Sequence, residues 1–228
     1  MKGARKKAVC LTLAIALLFS LFSFTSCNRR YDEEEVVAAA KELLKTAEML
    51  NIVYYGSGIE YFDSDEEIGY YRKANTQHLE ALGFNTIDEL KKITEETFSV
   101  KLSETVYSTV LSSLTTETSL ISPARYYQAY DENSGAPTHI MVYTNFTPLF
   151  KGTITYDYDS VRADGSKKDN VYVSVDATVT NTDGASQVTT VSFTLVEEEN
   201  GWRINSTTYA NYNALKDKYD ELKDQEIK

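Results

Sequence analysis

Cysteine is nearly absent: the 228 residues contain two, Cys10 and Cys27, and Cys10 lies within an apolar export-type segment. With that segment removed a single thiol is left, which excludes an internal disulfide and dithiol redox chemistry for the monomer. Histidine is equally scarce, and His78 and His139 stand far apart with neither in a paired-ligand spacing. A zinc site is therefore not expected, and neither a metal nor a cofactor is assigned. No serine of the mature region sits in a Gly-x-Ser-x-Gly elbow, so acyl transfer by a triad has no visible nucleophile. Gly56 and Gly58 begin a glycine-rich pattern that lacks a third glycine, which leaves a phosphate cradle unsupported. The acidic run Asp63, Ser64, Asp65, Glu66, Glu67 invites calcium. Counted from Asp63, however, the sixth and twelfth positions are Ile68 and Ala74, where an EF-hand needs glycine and glutamate. Paired carboxylates are the catalytic device the composition leaves open, since 34 acids allow many arrangements and glycosidic chemistry needs two at the right separation. No catalytic residue is assigned.

Charge of one sign dominates. The formal charge is −11, and the only ionic groups before Cys27 are the cations Lys2, Arg5, Lys6 and Lys7. Without those four, 19 basic residues face 34 acidic ones, a balance of −15. Such a surface repels nucleic-acid phosphates, so nucleic acid is not expected as a partner; it favours cationic partners or plain solubility. The 42% hydrophobic content can fill a core, and about 200 residues beyond the export segment make one ordinary domain.

The four N-terminal cations precede an uncharged stretch from Ala8 to Phe24 rich in Leu, Ala and Phe, and Thr25, Ser26 and Cys27 follow. That is the order of a signal peptide, and the run falls short of the roughly 20 residues of a spanning helix. Phe24, Thr25, Ser26 and Cys27 resemble the lipobox of bacterial lipoproteins, with Phe24 where leucine is usual. The resemblance implies cleavage before Cys27, its lipidation, and an extracytoplasmic domain held on the bacterial cell membrane by a lipid anchor. Diacylation would supply the two chains that stable anchoring requires. The chain then divides into a signal peptide (1–26), a lipidated start and short tether (27–32), a globular domain (33–210) and a charged tail (211–228).

Within the domain, Val36, Ala40, Leu43, Ala47 and Leu50 recur at three- and four-residue steps from Glu33 to Asn51, predicting an amphipathic helix. Its start is crowded by Asp32, Glu33, Glu34 and Glu35, which suit the positive end of a helix dipole. A short strand is expected around Ile68 to Lys73. Thr86, Ile87, Asp88 and Glu89 form a capping box, so a second helix begins there, and a third is expected from Ser103 to Leu114. After Pro123 the period becomes two: Arg125 to Tyr130, Thr138 to Tyr143, the Ile154, Tyr156, Tyr158 face, and Val171 to Thr180 with every second residue apolar. Asp164-Gly165, Asp183-Gly184 and Asn200-Gly201 punctuate the strands, the last two suiting tight hairpin turns. Val191, Phe193 and Leu195 continue the inward face, and Trp202 with Ile204 closes it. The expected class is α+β, with N-terminal helices packed on a curved antiparallel sheet.

This layout, ending on the strand Gly201, Trp202, Arg203, Ile204, resembles extracytoplasmic NTF2-like (cystatin-like) domains. Tyr70, Tyr71, Arg72, then Phe84 to Leu90, then Thr97, Phe98, Ser99 resemble the family of bacterial DL-endopeptidase inhibitors. The first resemblance implies a fold that can hold a small ligand between sheet and helices. The second implies a noncatalytic protein that blocks a cell-wall peptidase, a basic hydrolase being the partner that an acidic surface would favour. Tyrosine supplies flat apolar area with a polar tip, and there are 17. A noncatalytic binding or inhibitory module is the leading expectation, with Tyr70, Tyr71, Arg72, Tyr126 and Tyr127 as binding candidates. A ligand-binding NTF2-like domain and a carboxylate-based envelope enzyme are the alternatives. If the anchor is read correctly, Cys27→Ala abolishes incorporation of radiolabelled fatty acid and leaves the chain unprocessed or released. Label retained by the variant would refute the anchor.

Overall fold

A computed structural model describes residues 31–62, 68–115, 120–148 and 152–209. Cys27 with the export segment, the acidic run 63–67, residue 210 and the tail 211–228 lie outside the described residues. Helix α1 (Glu33–Tyr54) buries Val36, Ala40, Leu44, Ala47, Leu50, Val53 and Tyr54. The stripe passes through Leu44, four residues from Ala40, and leaves the expected Leu43 half-buried beside it. Asp32 caps α1, its carboxylate accepting from the Glu34 and Glu35 N–H groups at 2.9 and 3.2 Å.

Strand β1 (Tyr71–Lys73) is followed by helix α2 (Thr76–Leu82), which the apolar period does not announce. Its signals are terminal: Asn75 Oδ1 accepts from the Gln77 N–H at 2.9 Å, and Gly83 ends the helix at φ 84°. Helix α3 (Ile87–Thr97) carries the capping box at Thr86 and Glu89, with both reciprocal bonds formed. The helix expected from Ser103 to Leu114 instead starts earlier and stops sooner. Ser99 caps α4 (Val100–Val106), which runs into a π-helical turn at Tyr107–Leu111. There the Ser108 and Thr109 hydroxyls both donate back to the Thr105 carbonyl at 2.9 Å, competing with the regular ladder. Leu114 falls in a small ribbon, β2 (Leu114–Thr115) with β3 (Leu120–Ser122).

The remaining strands are β4 (Tyr126–Tyr130), β5 (Pro137–Tyr143), β6 (Thr153–Lys167), β7 (Asn170–Thr180), β8 (Ser186–Glu198) and β9 (Gly201–Ile204). All pairing between these strands is antiparallel, but they do not share the single sheet expected. They form a three-stranded sheet, β1-β5-β4, and a four-stranded meander, β6-β7-β8-β9. Both edges of β5 are taken, by β1 and β4, so β6 has to found a second sheet. Asp164-Gly165 is not a turn: the register shifts there and again between Asp157 and Arg162, so both are bulges that bend β6. The β6–β7 turn falls at Lys168 and Asp169, with Lys168 at φ 57°. Asp183-Gly184 lies in a five-residue loop between Thr180 and Ser186, whereas Asn200 does sit in a two-residue turn between Glu198 and Gly201.

One continuous core joins α1 to both sheets. Val171, Val173, Val175, Ala177, Val191, Phe193, Leu195 and Ile204 meet Leu44, Ala47 and Leu50 in it, while Trp202 is only half-buried. Each fully buried aliphatic side chain contributes about 1.5–3 kcal/mol. Among the described residues no helix is long and apolar enough to cross a membrane. The β7 register has a direct test. Val175 is 0% exposed, whereas the Asp176 carboxylate is half-exposed and accepts from the Thr190 hydroxyl at 2.8 Å. Val175→Asp should destabilise by about 3–5 kcal/mol and Asp176→Ser by under about 1 kcal/mol, read from urea unfolding. Equal losses would show that the register is wrong.

Candidate functional site

Strand alternation sorts the three-stranded sheet into two faces. Direct partners share a face, and the register pairs Tyr71 with Tyr143, Lys73 with Met141, and Tyr127 with Met141. These residues, with His139 and Ala129, therefore share one face. Tyr126, Ile140 and Val142 share the other and belong to the main core. On the first face Tyr71 reaches across β5, its hydroxyl donating to the Ala124 carbonyl at 2.6 Å. Its ring meets Tyr127 edge-on at 4.8 Å and Tyr143 at 5.4 Å, and Tyr70 meets Tyr143 edge-on at 6.3 Å. Such edge-to-face pairs add about 0.5–1.5 kcal/mol beyond area burial, so the four rings hold one another in place. Met141 is 1% exposed on this face yet stands outside the main core. Burial raises the Tyr71 hydroxyl above its ordinary pKa, with Tyr127 and Tyr143 adding to the shift, and burial raises Tyr127 as well. Both phenols stay neutral at physiological pH. Burial, then Lys73, lowers the imidazole of His139.

Of the five residues singled out from sequence, Tyr70, Tyr71 and Tyr127 are brought together. Tyr70 is the outermost, 65% exposed at the sheet edge. Arg72 points to the opposite face, its guanidinium 5.6 Å from the Tyr61 ring centroid. Tyr126 is 1% exposed, donating to the Val53 carbonyl at 2.6 Å and accepting from the Ile59 N–H at 3.1 Å. It is a structural tyrosine. Tyr143 was missed although its strand was legible, because only the pairing of β5 with β1 shows that it stands beside Tyr71. Tyr61, Phe62 and Ile68 flank β1 through the Tyr61–Ala74 and Ile68–Tyr71 bridges and the Phe62 N–H to Lys73 carbonyl bond. With Tyr70 and Tyr130 they place five of the nine exposed large hydrophobics among the described residues on or beside this sheet.

Several other polar groups among the described residues pair with one another. On the meander, the Ser174 hydroxyl donates to Asp164, while Arg162 lies 3.7 Å from both Asp164 and Asp176. Both histidines stand elsewhere: His78 Nδ1 accepts from the Glu60 N–H at 2.8 Å, and His139 is on β5. A shallow cavity of about 260 Å³ lies at the start of α1, among Tyr31, Asp32, Glu35, Asp169, Glu197 and Trp202. The Trp202 indole donates to Glu35 there at 3.1 Å. No cluster of three or more His, Cys, Asp or Glu side chains able to share a metal ion occurs among the described residues. Compared with known proteins, the chain matches no protein family and no curated sequence.

The buried phenols predict an alkaline limit. Burial pushes Tyr126 up to about 12 against the opposing pull of Arg125, and burial likewise pushes Tyr209 up to about 12. Unfolded tyrosine ionises near 10, so the folded state favours the neutral phenol. That stability is complete below about pH 10 and declines as pH rises toward 12. Tyrosinate absorbance should rise in an early wave and a late one, with the urea midpoint falling only above about pH 10. Tyr126→Phe should cost about 1–3 kcal/mol at neutral pH, because the Val53 carbonyl and the Ile59 N–H lose their partner. A single wave at ordinary tyrosine pKa values would contradict the burial of these rings.

Proposed function

We propose that this chain is a noncatalytic binding module, lipid-anchored outside the cytoplasm through Cys27, that docks a protein partner of the cell envelope on the tyrosine face of its three-stranded sheet. The observation that carries the reading is the convergence of Tyr70, Tyr71, Tyr127 and Tyr143 on the face opposite the core, bordered by exposed Phe62 and Ile68. Rigid tyrosines give contact area at low entropic cost, and a hydroxyl rim tolerates water until a partner arrives.

The anchor gives the face a direction. A tether of six residues spans at most about 20 Å, so the start of α1 stays close to the bilayer. Helix α1 has 22 residues and extends about 33 Å. The three-stranded sheet meets its far end, where Tyr126 bonds the Val53 carbonyl. With α1 upright on the bilayer, the tyrosine face would stand away from the membrane, toward the wall. A balance of −15 in the mature chain favours a cationic partner, and the DL-endopeptidase inhibitor resemblance names one class, a basic cell-wall hydrolase. The NTF2-like reading rests on the α1 spine, the meander and the closing strand β9. Between α1 and the meander, however, Leu44, Ala47, Val173, Val175, Phe193 and Leu195 are buried together, which favours the face over a cavity at that place as the partner's docking element.

The membrane-anchored chain, purified in detergent, should inhibit a purified basic DL-endopeptidase. Affinity should fall as salt shortens the screening length toward about 8 Å. A Tyr70→Ser, Tyr143→Ser double variant should weaken binding at least about tenfold. Peptidoglycan hydrolysis by the chain alone, or inhibition indifferent to both the tyrosines and salt, would sink the proposal.

A further inference from the structure

We propose that Arg125 is the receiving group of a carboxylate-binding site, closed in this structure by the ring of Phe146. The backbone of Arg125 is fixed on both sides: its N–H donates to the Val110 carbonyl at 2.7 Å, and its carbonyl accepts from the Tyr143 N–H at 2.9 Å. The side chain runs inward and is 3% exposed. Nη2 donates to the Gly56 carbonyl at 2.8 Å. The guanidinium carbon lies 3.7 Å from the centroid of the Phe146 ring and 5.3 Å from that of Tyr126. Gly58, at φ +83°, leaves the room: a Cβ there would collide with Nη2 and with the Tyr126 hydroxyl.

Nη1 is buried and has no acceptor. Among the described residues Arg125 forms no ion pair either, although a buried charge normally acquires a counter-charge. The negative end of α1 and two aromatic faces offset part of the cost, but neither supplies an acceptor to the Nη1 N–H bonds. A planar carboxylate does, and it is the anion whose geometry matches the fork of a guanidinium. Phe146 belongs to the stretch after β5 that is neither helix nor strand, so its ring can swing off the guanidinium without breaking a ladder. The ligand class is a small carboxylic acid or the C-terminal carboxylate of a peptide. This site lies on the core side of the sheet and is independent of the tyrosine face.

The test is calorimetric titration of the full chain in detergent with sodium acetate at constant ionic strength, then with N-acetyl-Ala-Ala as free acid and as amide. Saturable acetate binding is expected. Phe146→Ala should tighten it by about tenfold, because the closed state no longer competes with the ligand. Arg125→Lys, which keeps the charge and loses the fork, should weaken it by at least about tenfold with an unchanged circular dichroism spectrum. Binding of the dipeptide acid but not its amide, tighter than acetate, would identify a peptide terminus; equal binding of acid and acetate would identify a small acid. Chloride reproducing the acetate signal, or an affinity untouched by Phe146→Ala, overturns the proposal. The Phe146 variant decides the matter even if Arg125→Lys fails to fold.

Discussion

The fold depends on how the C-terminal end of α1 is satisfied. A helix ends with carbonyls that have no partner within it, and it draws cations to that end. The last turn of α1 contains no basic residue of its own. Strand β4 and the residue before it supply both needs from a distance: the Tyr126 hydroxyl donates to the Val53 carbonyl and the Arg125 guanidinium to the Gly56 carbonyl. Because Tyr126 also accepts from the Ile59 N–H, the chain leaving α1 is pinned to the same strand. Three backbone groups thus depend on two adjacent side chains, in a site where an unsatisfied group costs about 1–3 kcal/mol. Gly58 is the steric condition for this arrangement, since no residue with a Cβ leaves space for both.

Fixing one end of α1 leaves its flank for the meander. Asn51 donates to the Thr208 hydroxyl at 2.9 Å, Tyr156 donates to the Thr208 carbonyl at 2.6 Å, and Tyr158 donates to Glu48 at 2.6 Å. Near its start, Trp202 of β9 donates to Glu35. The helix is therefore a spine with the three-stranded sheet at one end and the four-stranded sheet along its side. The bulges in β6 belong to this geometry. Ser160 accepts the Asp176 N–H at 2.7 Å where the ladder is interrupted, so the bend leaves that donor satisfied.

Local signals were the legible ones. The capping box at Thr86, the stripe of α1 and the alternation of Val171 to Val179 are written in neighbouring residues, and each stands where it was expected save that the stripe passes through Leu44 and not Leu43. What depended on pairing was hidden. Two sheets read as one because period two marks a strand without naming its partner. Tyr126 and Tyr127 look alike in sequence, yet one lies in the core and the other on the outer face, a distinction fixed by the β4–β5 register. Arg125 opens the expected strand Arg125 to Tyr130 with nothing local to mark it as buried, and its burial comes from the chain leaving α1 and from Phe146. Helix α2 was overlooked because seven residues are too few for a periodic stripe, although Asn75 and Gly83 mark its two ends.

In the docking proposed above, the tyrosine face and the acidic surface would act on different steps of the encounter. Tyr71 and Tyr127 are neutral across the physiological range, as tyrosine ordinarily is, and burial raises both further, so the rings themselves carry no charge that salt could screen. Acidic residues outside it make the long-range field, and that field governs how often a cationic partner arrives. Residence is then set by short-range contact with the rings, which dominates dissociation rates in related complexes. A partner selected by charge alone would arrive quickly and leave quickly. Four rings held by two edge-to-face contacts and one tilted contact would add what charge lacks, a surface whose shape exists before binding and whose ordering entropy was settled when the sheet folded.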